Sequence, residues 1–220
     1  VQRSRELCAR ALGYSVATPP DFGLQALKAS RDDAVRTVAF ITGTSRADKT
    51  WLLDHWIALG QRLNAAGFQV GLPHGNEAEQ AVCETMAAAL NGEAPASAAN
   101  AVVWPRLQLD ALTPALAGCA GVIGVDSGPS HIAVALDVPH VQIYNFNTAW
   151  RTGPVAWPGS HQPRQASVFA RPTPSVDAVW QAWLACSGSP AASSSAQATP
   201  STGAGHTAGP SPRDGRGPSA

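Results

Sequence analysis

A run of small and polar residues, Asp126-Ser127-Gly128-Pro129-Ser130-His131, follows the apolar stretch Gly121-Val122-Ile123-Gly124-Val125. A strand ending there and a helix opening at Pro129 would present the Ser127 and Gly128 amides at a helix N-terminus, where the peptide dipoles favour an anion. Gly128 carries no side chain to obstruct a phosphate. Pro129 suits a first helical turn because its missing N–H would have had no partner there. His131 lies within the same turn and can face the same ligand. The competing reading is an ordinary helix cap made by Asp126 or Ser127, with His131 incidental.

Two more loops carry similar chemistry. Thr42-Gly43-Thr44-Ser45-Arg46-Ala47-Asp48-Lys49-Thr50-Trp51 follows the apolar run Thr37–Ile41. Thr44 and Ser45 offer hydroxyls to phosphate oxygens. Lys49 falls near a helix start, the unfavourable end for a cation, which makes sense if the ammonium clamps a diphosphate. The alternative is a solvated loop with Lys49 paired to Asp48. Trp51 reads as a packing residue. The third loop is Leu72-Pro73-His74-Gly75-Asn76-Glu77-Ala78-Glu79. There a carboxylate either stabilises the start of a helix or accepts hydrogen bonds from a ribose diol, as acidic residues do in nucleotide-binding folds. Glu77 and Glu79 are both candidates.

The elements that must hold these loops alternate along the chain. Thr37–Ile41, Gln69–Leu72, Ala101–Val103, Gly121–Val125 and His140–Tyr144 read as strands, the last being the final clear one. Between them, Leu52, Trp56, Leu59 and Leu63 recur at helical spacing. Residues 78–90, 109–117 and 129–136 are also helical, and Val176, Val179, Trp180 and Trp183 mark a closing helix. Repeated βα units of this kind imply an α/β domain: a Rossmann-like parallel sheet with helices on both faces. Such sheets bind ligands in the loops at the carboxyl ends of their strands, which is where all three polar runs fall.

Composition narrows the function classes. Fifteen basic and fifteen acidic residues cancel, and no basic run occurs, so nothing points to nucleic acid. The cysteines Cys8, Cys83, Cys119 and Cys186 form no C-x-x-C pair and read as buried free thiols, not as a disulfide or metal framework. No carboxylate cluster demands Mg²⁺, and no cofactor is expected. No apolar stretch is long enough to cross a bilayer. P-loop, G-x-G-x-x-G and G-x-S-x-G motifs do not occur, which argues against P-loop NTPases, standard NAD enzymes and α/β-hydrolases. From Ser187 to Ala220 the chain contains no Val, Ile, Leu, Met or aromatic residue and is expected to be a disordered tail. Because the sequence starts at Val1 and opens directly on a helical run, Arg3 to Leu12, an N-terminal domain is expected to precede it in a longer protein. The expected division is 1–32 as linker helix and connector, 33–186 as the Rossmann-like donor-nucleotide-binding domain, and 187–220 as the tail.

Taken together, the motifs resemble the lipopolysaccharide heptosyltransferases, inverting enzymes with the two-domain GT-B architecture. Asp126–His131 is similar to the family's D-[ST]-G-x-S-H, and Leu72–Glu79 to its L-P-x-G-x-x-x-E. Thr44–Trp51 resembles the T-[ST]-R-x-D-K-x-W loop of the type I enzymes, where type II enzymes carry a P-G-A-type loop. Arg10–Tyr14 resembles the linker helix entering the C-terminal domain. The resemblance covers about Arg3 to Cys186, the C-terminal half of such an enzyme. It implies an ADP-L-glycero-β-D-manno-heptose donor and a Kdo-lipid A acceptor. It also implies work at the cytoplasmic face of the bacterial inner membrane, with membrane association through the absent half. By position, Thr44, Ser45, Lys49, Ser127 and Gly128 would hold the diphosphate, and Glu79, or else Glu77, the ribose. Asp126 and His131 would position groups near the transferred sugar. The general base, an aspartate of the N-terminal domain in the family, has no counterpart here. After Tyr144 the family's Gly-Pro-Thr is replaced by Asn145-Phe146-Asn147-Thr148. The competing functional readings are a non-catalytic nucleotide-sugar-binding module and another sugar-nucleotide enzyme with a related GT-B half.

Overall fold

A computed structural model describes residues 2–16, 22–24, 36–92, 100–154 and 164–188. Most of the expected connector and nearly all of the expected tail lie outside the described residues. After a helix α1 (Gln2–Leu12), six strands form one parallel sheet: β1 (Thr37–Ile41), β2 (Gln69–Leu72), β3 (Ala101–Val103), β4 (Gly121–Val125), β5 (His140–Tyr144) and β6 (Gln165–Phe169). Their order across the sheet is β3-β2-β1-β4-β5-β6. The helices between them are α2 (Leu53–Ala65), α3 (Glu77–Asn91), α4 (Leu109–Ala117), α5 (Gly128–Ala135), the short α6 (Ala149–Thr152) and α7 (Val176–Ser187). The expected α/β class and parallel sheet are therefore observed.

Period-two alternation sorts the strand side chains onto two apolar layers. Val38, Phe40, Ile123 and Val125 face Trp56, Leu59, Leu63, Met86 and Trp183 of α2, α3 and α7. Ala39, Ile41 and Val122 face Leu112, Leu116, Ala133 and Leu136 of α4 and α5. Both faces are covered, which is why these strands read as continuous apolar runs. Trp56 and Trp183 are almost fully enclosed. A buried tryptophan removes about 150–250 Å² from water, roughly 4–6 kcal/mol of gross stabilisation at about 25 cal/mol per Å².

Three expectations need correction. The sheet does not end at Tyr144, since β6 pairs with β5 in parallel from His140↔Gln165 to Tyr144↔Phe169. Gln-Ala-Ser-Val-Phe sits at a sheet edge with every residue partly or well exposed, so it lacks the apolar run that marks an inner strand. Leu52 is not part of the buried stripe of α2; it is the exposed N-cap residue, and burial begins at Trp56. Cys83, Cys119 and Cys186 are buried free thiols as expected, but Cys8 is exposed on α1. Burial pushes the Cys83 and Cys186 thiols up to about 11.

The contact between β4 and α5 sets the geometry of the site. Ser130 is fully buried, and its hydroxyl donates to the Val125 carbonyl at 2.6 Å. A Cβ on Gly124 would meet that same hydroxyl and come within 2.8 Å of Ile41 Cβ. Glycine thus lets the first turn of α5 close down on the carboxyl end of β4. Gly124→Ala is expected to force the two apart and destabilise the chain by about 1–3 kcal/mol. Urea unfolding measures this, and an unchanged midpoint would contradict the close-packing account.

Candidate functional site

The chain leaves β1 towards β2 and β3 on one side of the sheet, then crosses back to β4 on the other. The loops after β1 and β4 consequently part in opposite directions, and a crevice opens at the carboxyl ends of these neighbouring strands. A cavity of about 520 Å³ lies there. Gly43, Thr44 and Ser45 line it from the β1 loop, and Ser127 and Pro129 from the start of α5. Pro73, Gly75 and Glu79 also line it, as do Leu107, Leu109 and Leu112, its apolar end, together with Arg106 and Gln108 from the same segment. The volume is that of a small-molecule site, and its lining mixes apolar residues with polar and charged ones, His74, Asn76, Glu79, Arg106 and Gln108 among them.

Two hydroxyls at the polar end, Thr44 Oγ1 and Ser127 Oγ, are shielded from solvent and have no hydrogen-bond partner. Ser127 is the N-cap of α5 by its extended backbone (φ −152°), yet its side chain caps no amide. The simple capping role for Ser127 is therefore not observed. Pro129 has no N–H, and the first bond of the helix is His131 N–H to Ser127 O at 3.3 Å. The Gly128 and Ser130 amides precede that first bond, as helix geometry requires of an N-terminus. A Cβ on Gly128 would meet nothing within 4 Å beyond its own chain neighbours and the backbone of α5, so the rest of the fold leaves the space above this residue free.

Beside the hydroxyls stands an ionic cluster. Asp126, 6% exposed, accepts a hydrogen bond from Lys49 Nζ at 2.8 Å on Oδ2. Its Oδ1 lies 3.5 Å from His131 Nε2 and 3.4 Å from the buried Gln142 amide on β5. His131 and then Lys49 hold the Asp126 carboxyl well below the usual carboxylate range, against the opposing effect of burial. Next to it, burial raises the Tyr144 phenol above its ordinary value, the Thr152 hydroxyl contact opposes this, and the Asp126 charge adds to it. Lys49 thus does not pair with Asp48. Asp48 is taken by Arg46 through two side-chain hydrogen bonds within the same exposed loop. Residues 47–49 form a single 3₁₀ turn, so Lys49 precedes α2 by several residues and points across to β4. Trp51 packs edge-on against Trp56 and His55 and donates its indole N–H to Pro174 O, as a packing residue would.

The third loop separates its two carboxylates. Asn76 caps α3, accepting from Glu79 N–H at 2.9 Å. The Glu79 carboxylate reaches back to Gly75 N–H at 2.7 Å and to the Asn76 amide at 3.0 Å, a variant of the capping box. It also lies against Gly43, where any Cβ would come within about 2.5–2.7 Å of it. Glu79 therefore serves as a helix-start carboxylate while facing the cavity. Glu77 is exposed on the same turn and is not among the cavity-lining residues.

The structure thus brings Thr44, Ser45, Glu79 and Ser127 to one cavity, and Lys49, Asp126 and His131 to an adjoining cluster joined through the Asp126–Ser127 backbone. Gly128 sits between two lining residues, and Glu77 belongs to neither group. Sequence analysis does not single out Gly43, Gln142 or the 106–109 segment, and marks Asn145 only as a departure from the family's Gly-Pro-Thr. Gln142 had a signal, a glutamine inside an apolar strand. Residues 106–109 had another, since they also follow a strand end. No group of three or more His, Cys, Asp or Glu residues among the described residues is arranged to hold a metal ion, and no helix among them is long and apolar enough to cross a membrane.

The family model for glycosyltransferase family 9 (heptosyltransferase) matches residues 1–173. The chain belongs to this family. Among curated members of glycosyltransferase family 9, lipopolysaccharide heptosyltransferase 1 of Pseudomonas aeruginosa is 34% identical over 155 residues, which cover 70% of this chain and 41% of that protein. The Escherichia coli K12 enzyme of the same name is 33% identical over 147 residues, covering 66% of this chain and 44% of its own length. The solved structure of E. coli heptosyltransferase WaaC with ADP superposes with a TM-score of 0.63 at 30% identity, covering 82% of this chain and 54% of that one. The chain spans about half the length of these family members or less.

The ionic cluster has a pH signature. The Asp126 carboxyl is lowered in the folded chain relative to about 3.9 when unfolded. The unfolded state then binds more protons through acid pH, and this contribution to stability, full at neutral pH, is lost as pH falls. Asp126→Asn is expected to melt earlier than the parent at pH 7, with the deficit shrinking as pH drops below about 5. Thermal melts of both proteins across that range test this; a constant deficit would count against it.

Proposed function

We propose that this chain supplies the donor-nucleotide half of an inverting heptosyltransferase, binding the nucleoside diphosphate of a sugar-nucleotide across the β1–β4 crevice. The observation that carries the reading is the pair of unpartnered hydroxyls, Thr44 and Ser127, on one cavity at the start of α5, with the Lys49 ammonium bound to the adjacent Asp126. A diphosphate is the ligand that uses all of them. Lys49 spends one of its three donors on Asp126, which leaves two for phosphate oxygens. Glu79, in preference to Glu77, accepts from the ribose hydroxyls, and the apolar end near Leu107 and Leu112 takes the base. His131 and Asp126 face the transferred sugar.

In the reaction, a base removes the proton of an acceptor hydroxyl. That oxygen bonds to the anomeric carbon from the face opposite the leaving phosphate, and the anomeric C–O bond to phosphate breaks with inversion. Charge grows on the departing diphosphate, where the Lys49 ammonium and the Ser127, Gly128 and neighbouring helix-start amides oppose it electrostatically. We assign the base and the acceptor site to a preceding domain of a longer parent. Within this chain, we assign 1–32 to the linker helix and connector, 33–186 to the donor domain and 187–220 to a tail.

Heptosyl transfer in lipopolysaccharide synthesis is supported by relatives named lipopolysaccharide heptosyltransferase 1; ADP-L-glycero-β-D-manno-heptose as donor, Kdo-lipid A as acceptor and work at the cytoplasmic face of the inner membrane are what the family resemblance implies, and we adopt them as part of the proposal. The donor is further supported by WaaC structures solved with ADP and with ADP-2-deoxy-2-fluoro heptose.

The isolated chain is expected to bind ADP in a calorimetric titration, more tightly than UDP or GDP, and to transfer little sugar alone. Absence of ADP binding by folded protein would remove the reading, and a preference for UDP or GDP would favour another sugar-nucleotide enzyme. Lys49→Ala should weaken ADP binding by about 1.5–3 kcal/mol, the range of a hydrogen bond to a charged group. Gly128→Ala should leave the melting temperature unchanged, since its Cβ meets nothing beyond its chain neighbours and the backbone of α5, but weaken ADP binding by displacing the phosphate; unchanged affinity would take Gly128 out of the site.

A further inference from the structure

Lys49 is held at its far end by Asp126, but a lysine side chain is long, and its reach depends on where its backbone stands. The 3₁₀ turn that carries it has only local bonds of its own: Lys49 N–H to Arg46 O at 3.1 Å, Thr50 N–H to Ala47 O at 3.2 Å, and the Thr50 hydroxyl to Ala47 O. A short exposed turn of this kind does not fix its own position on the sheet. The fixing comes from the end of β5. The Asn145 amide nitrogen donates to Asp48 O at 3.0 Å and to Thr50 O at 2.9 Å, the two carbonyls on either side of Lys49. Its carbonyl oxygen accepts from the Thr173 hydroxyl at 2.7 Å. The amide can sit only one way round, because backbone carbonyls only accept. Alongside, the Trp51 indole N–H donates to Pro174 O at 2.8 Å and ties the next residue of the loop to the same segment.

We propose that Asn145, oriented by Thr173, is the positioning residue for the Lys49 ammonium. The proposal rests on the reading of Lys49 as a diphosphate clamp. Asn145 is not among the residues that line the cavity; it sets the backbone from which Lys49 reaches. It stands where this sequence departs from the Gly-Pro-Thr of the family pattern, and neither glycine nor proline has a side-chain donor for these carbonyls.

The test is a double-mutant cycle read with two ligands, ADP and adenosine, in the folded full chain. Asn145→Ala is expected to weaken ADP binding about tenfold, no more than the loss of the charged Lys49 contact itself, since it acts only through that contact. Adenosine affinity should stay within about twofold, and in a Lys49→Ala background the same change should add almost nothing. A purely structural Asn145 would instead weaken both ligands alike, or weaken ADP as much without Lys49 as with it, and either result overturns the proposal. Thr173→Val, which deletes one hydroxyl and leaves Asn145 in place, repeats the cycle should Asn145→Ala fail to fold; it should weaken ADP about threefold, and only when Lys49 is present. Absence of ADP binding by the parent refutes the functional reading separately. The positioning is then decided by the Lys49 ¹⁵Nζ resonance, expected to be visible in the parent and lost in both Asp126→Asn and Asn145→Ala. A Lys49 signal unchanged by Asn145→Ala overturns the proposal.

Discussion

A carboxylate enclosed at the end of a central strand keeps its charge only if a cation or several donors reach it, because desolvation favours the neutral form. Asp126 meets that requirement with Lys49 from the β1 loop, His131 from α5 and Gln142 from β5. Three elements are thereby drawn onto one group, and their relative positions define the polar end of the crevice. Breaking such a pair by removing one partner costs more than the pair contributes, since it strands a buried charge. The arrangement therefore opposes drift: any movement of Lys49 away from β4 exposes Asp126 to part of that penalty.

The topology makes the pairing available. Strand order β3-β2-β1-β4-β5-β6 places β1 and β4 side by side although more than eighty residues of sequence separate their starts. The register Ile41↔Gly124 brings the ends of the two strands level, so the loops that follow open at the same height. Gly124 then lets α5 approach closely enough for the Ser130 hydroxyl to bond Val125 O, which seats the α5 N-terminus at the rim. On the other side, the Glu79 carboxylate rests on Gly43 and so belongs to the β1 loop as much as to its own helix. Positions with little or no side chain are used where a functional group must come near the backbone of another element.

Much of this was legible locally. Five of the six strands follow from apolar runs, and α2, α3, α4, α5 and α7 from periodicity and their flanking residues. The three polar loops follow from their place after strands. Other features were hidden for a physical reason. β6 is an exposed edge with no apolar signature. Asp48 beside Lys49 is the natural partner in sequence, but Arg46 occupies it and the 3₁₀ turn carries Lys49 away. Glu77 and Glu79 are equivalent as helix-start acids; they differ only in which side of the first turn faces Gly43. Asn145 gave no sign in sequence of holding the backbone of a loop almost a hundred residues earlier.

The sequence by itself determined the class of fold, the elements and the chemical character of each loop, because strand alternation, helical spacing and turn residues act over a few neighbours. The tertiary structure alone decided the partnerships: Lys49 with Asp126, Glu79 with Gly43, and Asn145 with the carbonyls flanking Lys49. Those contacts depend on strand order and register, which are set by the packing of two apolar layers over the whole sheet and by no short stretch of residues.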